Sequence, residues 1–171
     1  MALYQIYNGP SPTSASQVAV TTGTSIKTML QVKASSTIGF KVVEWGISFD
    51  GSAAATPIEV ELIEGDSSSG STVTAHVAAG IVKLDAAALA GGDPTTNLLP
   101  VGTTSTGYTS SGEGTNTTTR NFDTQLIAPT NQYLKQFPLG REPFVNIACL
   151  LKIRVKAGTA VNAICYVTVE V

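Results

Sequence analysis

Histidine and cysteine are almost missing from this chain, and charge is sparse: one His, two Cys and 13% charged residues among 171. A single His76 cannot supply the His and Cys ligands of a structural zinc cage. A Ser-His-Asp triad would have to use that same His76, with no nucleophile-elbow motif to set its geometry. Ten Lys and Arg stand against twelve Asp and Glu, a net charge of −2, so there is no basic field to neutralise phosphate or hold the chain on an anionic membrane. No apolar run is long enough to span a bilayer. Met1 to Pro10 (MALYQIYNGP) lacks the basic and apolar segments of a secretory signal. These absences predict no catalytic residue, no cofactor and no metal, no nucleic-acid or membrane partner, and synthesis in a cytoplasm.

What is present is Ser and Thr in abundance and short runs of alternating apolar residues, a balance that favours strands and turns over exposed helices. A chain of this length fits one domain, residues 1–171, and can bury roughly 70% of its extended surface. Regular strands at short spacing predict an all-β antiparallel β-sandwich, with a jelly roll as one form of it, long loops and at most one short helix. Strands are expected at Leu3 to Tyr7, Gln17 to Thr21, Thr72 to Val77, Ile81 to Leu84 and Asn121 to Ile127. Asp85 to Ala90 (DAAALA), followed by two glycines, reads as a helical turn or two. Asp93 to Thr119 reads as a long loop, ordered by itself or on a partner.

Phase carries more detail. Ile26 to Ala34 alternates, placing Lys27, Gln31 and Lys33 on a wet face. In Ile38 to Asp50 the apolar positions are even through Val42 and odd from Val43 to Phe49, which predicts a β-bulge at Val42 and Val43. Ile58 to Glu64 would return as the second arm of a long hairpin, with Glu59 and Glu61 outward. Cys149 to Val155 and Val161 to Val169 share an odd phase and read as a closing hairpin around Ala157 to Thr159, apolar enough for the centre of a sheet. That register sets Leu151 against Cys165 and leaves the two thiols diagonal at roughly 7 Å, which favours buried free cysteines over a disulfide.

Few residues look like a site. Glu59 and Glu61 could serve a glycosidase-like pair, but i, i+2 acids on a solvated strand explain them. Asp50, Glu64, Asp66 and Asp93 beside glycines suit turns, without the spacing of a calcium loop. Asn116 to Thr118 matches a glycosylation acceptor, which has no meaning without secretion. Trp45 could stack a sugar, yet its phase with Ile47 and Phe49 puts it in the core. Ala128 to Phe144 (APTNQYLKQFPLGREPF) is a Pro-bearing connection whose aromatic and aliphatic groups either fold back on the core or meet a neighbour. Its Tyr133, Phe137, Leu139, Arg141 and Phe144 form the candidate interface.

Lys41 to Glu64 (KVVEWGISFDGSAAATPIEVELIE), Ala128 to Pro143 and the C-terminal Leu151 to Val171 resemble segments of small structural proteins of tailed-phage virions. The resemblance implies a capsid decoration, or cement, protein with a β-sandwich fold: a homo-oligomer, most simply a trimer, bound to the major capsid protein on the surface of the virion. It carries over no functional residue. The alternatives are a tail, head-fibre or other capsid shell component, and a carbohydrate-binding module.

Overall fold

The computed structural model describes residues 2–10, 16–52, 54–84, 98–115 and 117–171. Thirteen strands occur among the described residues: β1 (Leu3–Tyr7), β2 (Val20–Thr21), β3 (Lys27–Lys33), β4 (Phe40–Phe49), β5 (Ile58–Gly65), β6 (Thr72–Ala75), β7 (Ile81–Lys83), β8 (Gly107–Gly112), β9 (Thr118–Ile127), β10 (Gln132–Gln136), β11 (Phe144–Val145), β12 (Leu150–Lys156) and β13 (Asn162–Glu170). The helical turn expected at 85–90 lies outside the described residues. The fold is all-β, with two antiparallel sheets facing each other as a sandwich. One sheet runs β10-β4-β13-β1-β7, with β11 and β2 pairing β4 and β13, and the other runs β6-β8-β3-β12-β5-β9. Eight of these strands, β1-β13-β4-β10 against β3-β12-β5-β9, follow the wiring of a jelly roll, in which most connections change sheet.

That wiring overturns both predicted hairpins. β12 pairs β3 and β5 in one sheet, while β13 pairs β1, β2 and β4 in the other. Cys165 therefore opposes Ile47 rather than Leu151. Both thiols are free, Cys165 buried and Cys149 partly so. Likewise β5 does not return along β4 but crosses to the second sheet. The physical reason is common to the two cases: in a sandwich, strands of opposite sheets present their apolar faces to the same interior. Alternation therefore reports which face is inward and says nothing about the neighbour. β12 and β13 do each occupy the centre of a sheet.

The bulge in β4 is present. Thr168 opposes Glu44 and Val169 opposes Val42, leaving Val43 as the extra residue. It turns Trp45, Ile47 and Phe49 into the same core as Phe40 and Val42. A second bulge, which the phase of β3 did not suggest, sits at Met29: Leu30 opposes Ile153 and Thr28 opposes Arg154. Thr28 thus leaves the face of Leu30 and joins Gln31. Of the wet face predicted for β3, Lys27 and Lys33 stay half-exposed, but Gln31 is buried together with the displaced Thr28, covered by the segments carrying Ser71, Ser105 and Glu113. The region read as a loop at Asp93 to Thr119 contains β8, which pairs β3 and β6.

The chain between β5 and β9 extends both sheets on one side, adding β7 beyond β1 and β8 and β6 beyond β3. His76 ties these additions together. It is 2% exposed, its ring packs on Tyr108 of β8 at 4.9 Å, and its Nε2 lies 2.8 Å from the Tyr7 carbonyl of β1. A carbonyl only accepts, so Nε2 carries the proton and donates. Gly80 leaves room for the ring, since a Cβ there would stand 2.9 Å from Nδ1.

Burial lowers the His76 pKa, and the Tyr7 hydrogen bond opposes that shift without cancelling it. A histidine whose folded pKa is depressed leaves stability intact above the unfolded value and loses it as pH falls toward the folded one. Because no other histidine exists, denaturant unfolding should show stability declining as pH falls below about 6.5. His76→Gln, whose amide can still donate to Tyr7, should be flat across that window and about 1 kcal/mol less stable at neutral pH. An unchanged slope in the variant would remove His76 as the cause.

Candidate interaction surface

The structure divides the five candidate interface residues. Tyr133 and Phe137 turn inward and pack against the core, whereas Leu139, Arg141 and Phe144 are exposed. The expectation of an irregular connection fails for Tyr133, which sits on β10 opposite Ile47 of β4, and for Phe144, which sits on β11 opposite Lys41. The Tyr133 ring lies 5.3 Å from that of Trp45.

Tyr133 belongs to a polar clasp across the sandwich margin where β9 of one sheet meets β10 and β4 of the other. Asp123 of β9 accepts from Tyr133 Oη at 2.9 Å, from Trp45 Nε1 at 3.3 Å and from Gln125 Nε2 at 2.9 Å. Lys135 Nζ stands 3.2 Å from Oδ1, the oxygen that also accepts from Gln125. Burial pushes the Asp123 carboxyl up, but Gln125, Tyr133 and Lys135 together outweigh it and hold it below the usual range. Burial and the same carboxylate push the Tyr133 hydroxyl up to about 12. Trp45 is fully buried, as its phase predicted.

The exposed members gather where the edge pairing of β4 is interrupted. Phe137 N–H still bonds to Val43, and Val42 N–H bonds to Pro143. The residues between them leave the sheet at the bulge. Arg141 N–H closes this turn on the Pro138 carbonyl at 2.9 Å, Gly140 takes φ +81°, and the Glu142 carboxylate accepts from Gly140 N–H. Leu139 stands at the tip, 97% exposed. Phe144 lies over Gly39, where a Cβ would come within 2.5 Å of its ring, beside exposed Ile38. Ile147 is exposed on a neighbouring turn. Ser35 joins the two, its Oγ accepting from Ile38 N–H and its carbonyl from Ala148 N–H.

Glu64 anchors this end. Read from sequence as a turn acid, it is 1% exposed in β5. Arg120 bonds both Glu64 and the Phe144 carbonyl, and Asn146 donates to Glu64 at 3.1 Å. The signal was available: Glu64 continues the even phase of Ile58, Val60 and Leu62. Asp66 does act as a turn acid, accepting from the Ser68 amide and the Ser68 and Ser69 hydroxyls.

A buried polar group on the outer side of the second sheet had no sequence signal. Lys152 donates to the Ser69 carbonyl and to Ser71 Oγ, and Glu113 accepts from the Thr28 amide and hydroxyl and from Ser71 and Ser110. Burial lowers Lys152 to about 8. A serine beside a lysine of lowered pKa is the raw material of a nucleophile and its base, but Ser71 and Lys152 are both fully buried, and no substrate carbonyl can reach Ser71 Oγ as it stands. Its role here is to hold the covering segments down. Among the described residues no group of three His, Cys, Asp or Glu side chains is placed to hold a metal, and no helix is long and apolar enough to cross a membrane.

Separating the clasp from the surface is a matter of stability. Tyr133→Phe should cost about 1 kcal/mol in urea unfolding by taking one donor from a buried carboxylate. Leu139→Ser should stay within about 0.5 kcal/mol of the parent. Equal costs would place Leu139 in the packing of the fold.

Comparison with known proteins adds no relative to this picture, since no family model, no curated protein and no solved structure matches the chain.

Proposed function

We propose that this chain is a non-enzymatic structural protein of a tailed-phage virion, a decoration protein that binds the outer face of the assembled shell and stabilises it. The observation that carries the reading is the set of exposed apolar residues Leu139, Phe144, Ile38 and Ile147, carried on β11 and on hydrogen-bonded turns of a jelly roll. Supporting it are the resemblance of Lys41 to Glu64 and Ala128 to Pro143 to tailed-phage virion proteins and the low charge of the chain. An exposed leucine on a closed turn loses little freedom on docking, so its burial is spent on contact rather than on ordering.

A few hundred Å² of apolar burial per copy is worth several kcal/mol by area alone, and repetition over a lattice multiplies the effect. A ligand that prefers the intact shell to the disrupted one stabilises it by linkage. Docking against the major capsid protein, as a trimer on the shell, completes the proposal. A tail or head-fibre component would use the same surface at another place on the particle.

The test is thermal disruption of particles lacking the protein, with and without it added back, and its position by electron microscopy. Added protein should raise the disruption temperature, and the Leu139→Asp, Phe144→Asp double variant should remain folded and fail to bind. Location only on the tail would move the assignment to a tail component. No binding to any particle would end the structural reading.

A further inference from the structure

The outer face of the first sheet carries a row that the decoration reading does not use. Tyr7 of β1 opposes Tyr166 of β13, Tyr166 opposes Gly46 of β4, and Gly46 opposes Leu134 of β10. Gly46 has no side chain to fill its place in the row, and Tyr166 takes it: a Cβ on Gly46 would lie 2.8 Å from Tyr166 Cε1. The ring therefore lies down across β4, its hydroxyl donating to Glu44 Oε1. Tyr7 stands beside it, ring centroids 5.6 Å apart and tilted by 40°, with its own hydroxyl on Gln5. Tyr166 is partly exposed and Leu134 is 60% exposed, and together with Tyr7, Ser48, Gln132 and Ile164 they line one groove.

We infer that this groove is a binding site for a neutral, β-1,4-linked oligosaccharide, with Tyr166 as its stacking platform and Tyr7 as its flank. A ring pinned at both ends pays little rotamer entropy when a ligand covers it. A hexopyranose with equatorial linkages presents C–H bonds along one face, the surface that stacks on an aromatic ring. The rows on either side carry polar groups, Gln5, Thr168, Glu44 and Gln136 on one and Ser48 and Gln132 beside Ile164 on the other, which suits hydroxyl groups at the sugar's edges. Strands lie about 4.8 Å apart, a spacing close to that of successive sugars in an extended β-1,4 chain, so neighbouring units can ride over neighbouring strands. Charge decides against an anionic ligand: Glu44 is the carboxylate in these rows, and no Lys, Arg or His is among the lining residues. The residues are distinct from Leu139 and Phe144, so this site and shell docking stand or fall separately.

The experiment is an NMR titration of the full chain with cellotetraose and chitotetraose, with maltotetraose as the coiled α-linked control. One of the β-linked probes should shift the amides of Gly46, Tyr166 and Tyr7 and saturate with a dissociation constant of about 1 mM. Gly46→Ala keeps every lining side chain but lifts Tyr166 from its seat, and should weaken binding by about tenfold or more. Tyr7→Ala should weaken it without disturbing the Gly46 contact, and Leu139→Ser should leave it unchanged. Absence of shifts with both β-linked probes at about ten times that concentration, shifts located elsewhere, equal binding of maltotetraose, or full affinity in Gly46→Ala would each overturn the inference.

Discussion

Two sheets bury one face each against the other, and the gap between them has to be kept dry along both open margins. Everything else follows from that requirement. The interior is filled by alternating side chains from strands that arrive from both sheets, but a sandwich, unlike a closed barrel, leaves edges where water can enter. Here each margin is closed by a polar contact between sheets. On one side Asp123 gathers Trp45, Tyr133 and Lys135, and on the other His76 joins Tyr7 to Tyr108. Both groups are buried and both are satisfied, which is the condition under which buried polarity holds a structure together rather than opening it.

How much of this was legible depended on whether a feature is written in local periodicity. The bulge at Val43 was readable because an extra residue shifts the phase of everything after it. The burial of Trp45 followed from the same count. The bulge at Met29 was hidden because both Met29 and the displaced Thr28 are compatible with either face. The strand neighbours of β12 and β13 could not be read at all, since a hairpin and a sheet crossover bury the same side chains. Tyr133 and Phe137 looked alike in sequence to Leu139 and Phe144. What separates them is the face each presents: Tyr133 and Phe144 both pair with β4, yet Tyr133 and Phe137 pack on the core while Phe144 and Leu139 are exposed, a long-range fact. His76, Asp123 and Lys152 owe their surroundings to segments far away in the chain, and a single sequence carries no trace of that proximity.

The surface combines two kinds of feature on one scaffold. At one end the edge of the first sheet is broken and an apolar turn projects; on the face of the same sheet a tyrosine lies flat over a glycine. Both are consequences of β4. At its bulge at Val43 the facing edge leaves and rejoins, β10 ending opposite Glu44 and β11 beginning opposite Lys41, and the turn between them carries Leu139. Its Gly46, three residues on, leaves the space that Tyr166 occupies. One strand at the heart of a jelly roll thus shapes the outside of the molecule as well as its core, and loops need not be the sole source of binding features on such a fold.

The pairing of β1 with β13 has a kinetic meaning. Leu3 opposes Glu170 and Tyr7 opposes Tyr166, so β1 finds this partner only when β13, far later in the chain, has been made. Until then the apolar face of Tyr4 and Ile6 has no sheet to join on that side, and β4 likewise lacks β13. Contacts of such sequence separation are formed slowly because the loop entropy is paid before the reward arrives. The nascent chain therefore waits with unpaired edges exposed, and the speed at which β13 docks between β1 and β4 governs how long it is vulnerable to wrong pairing.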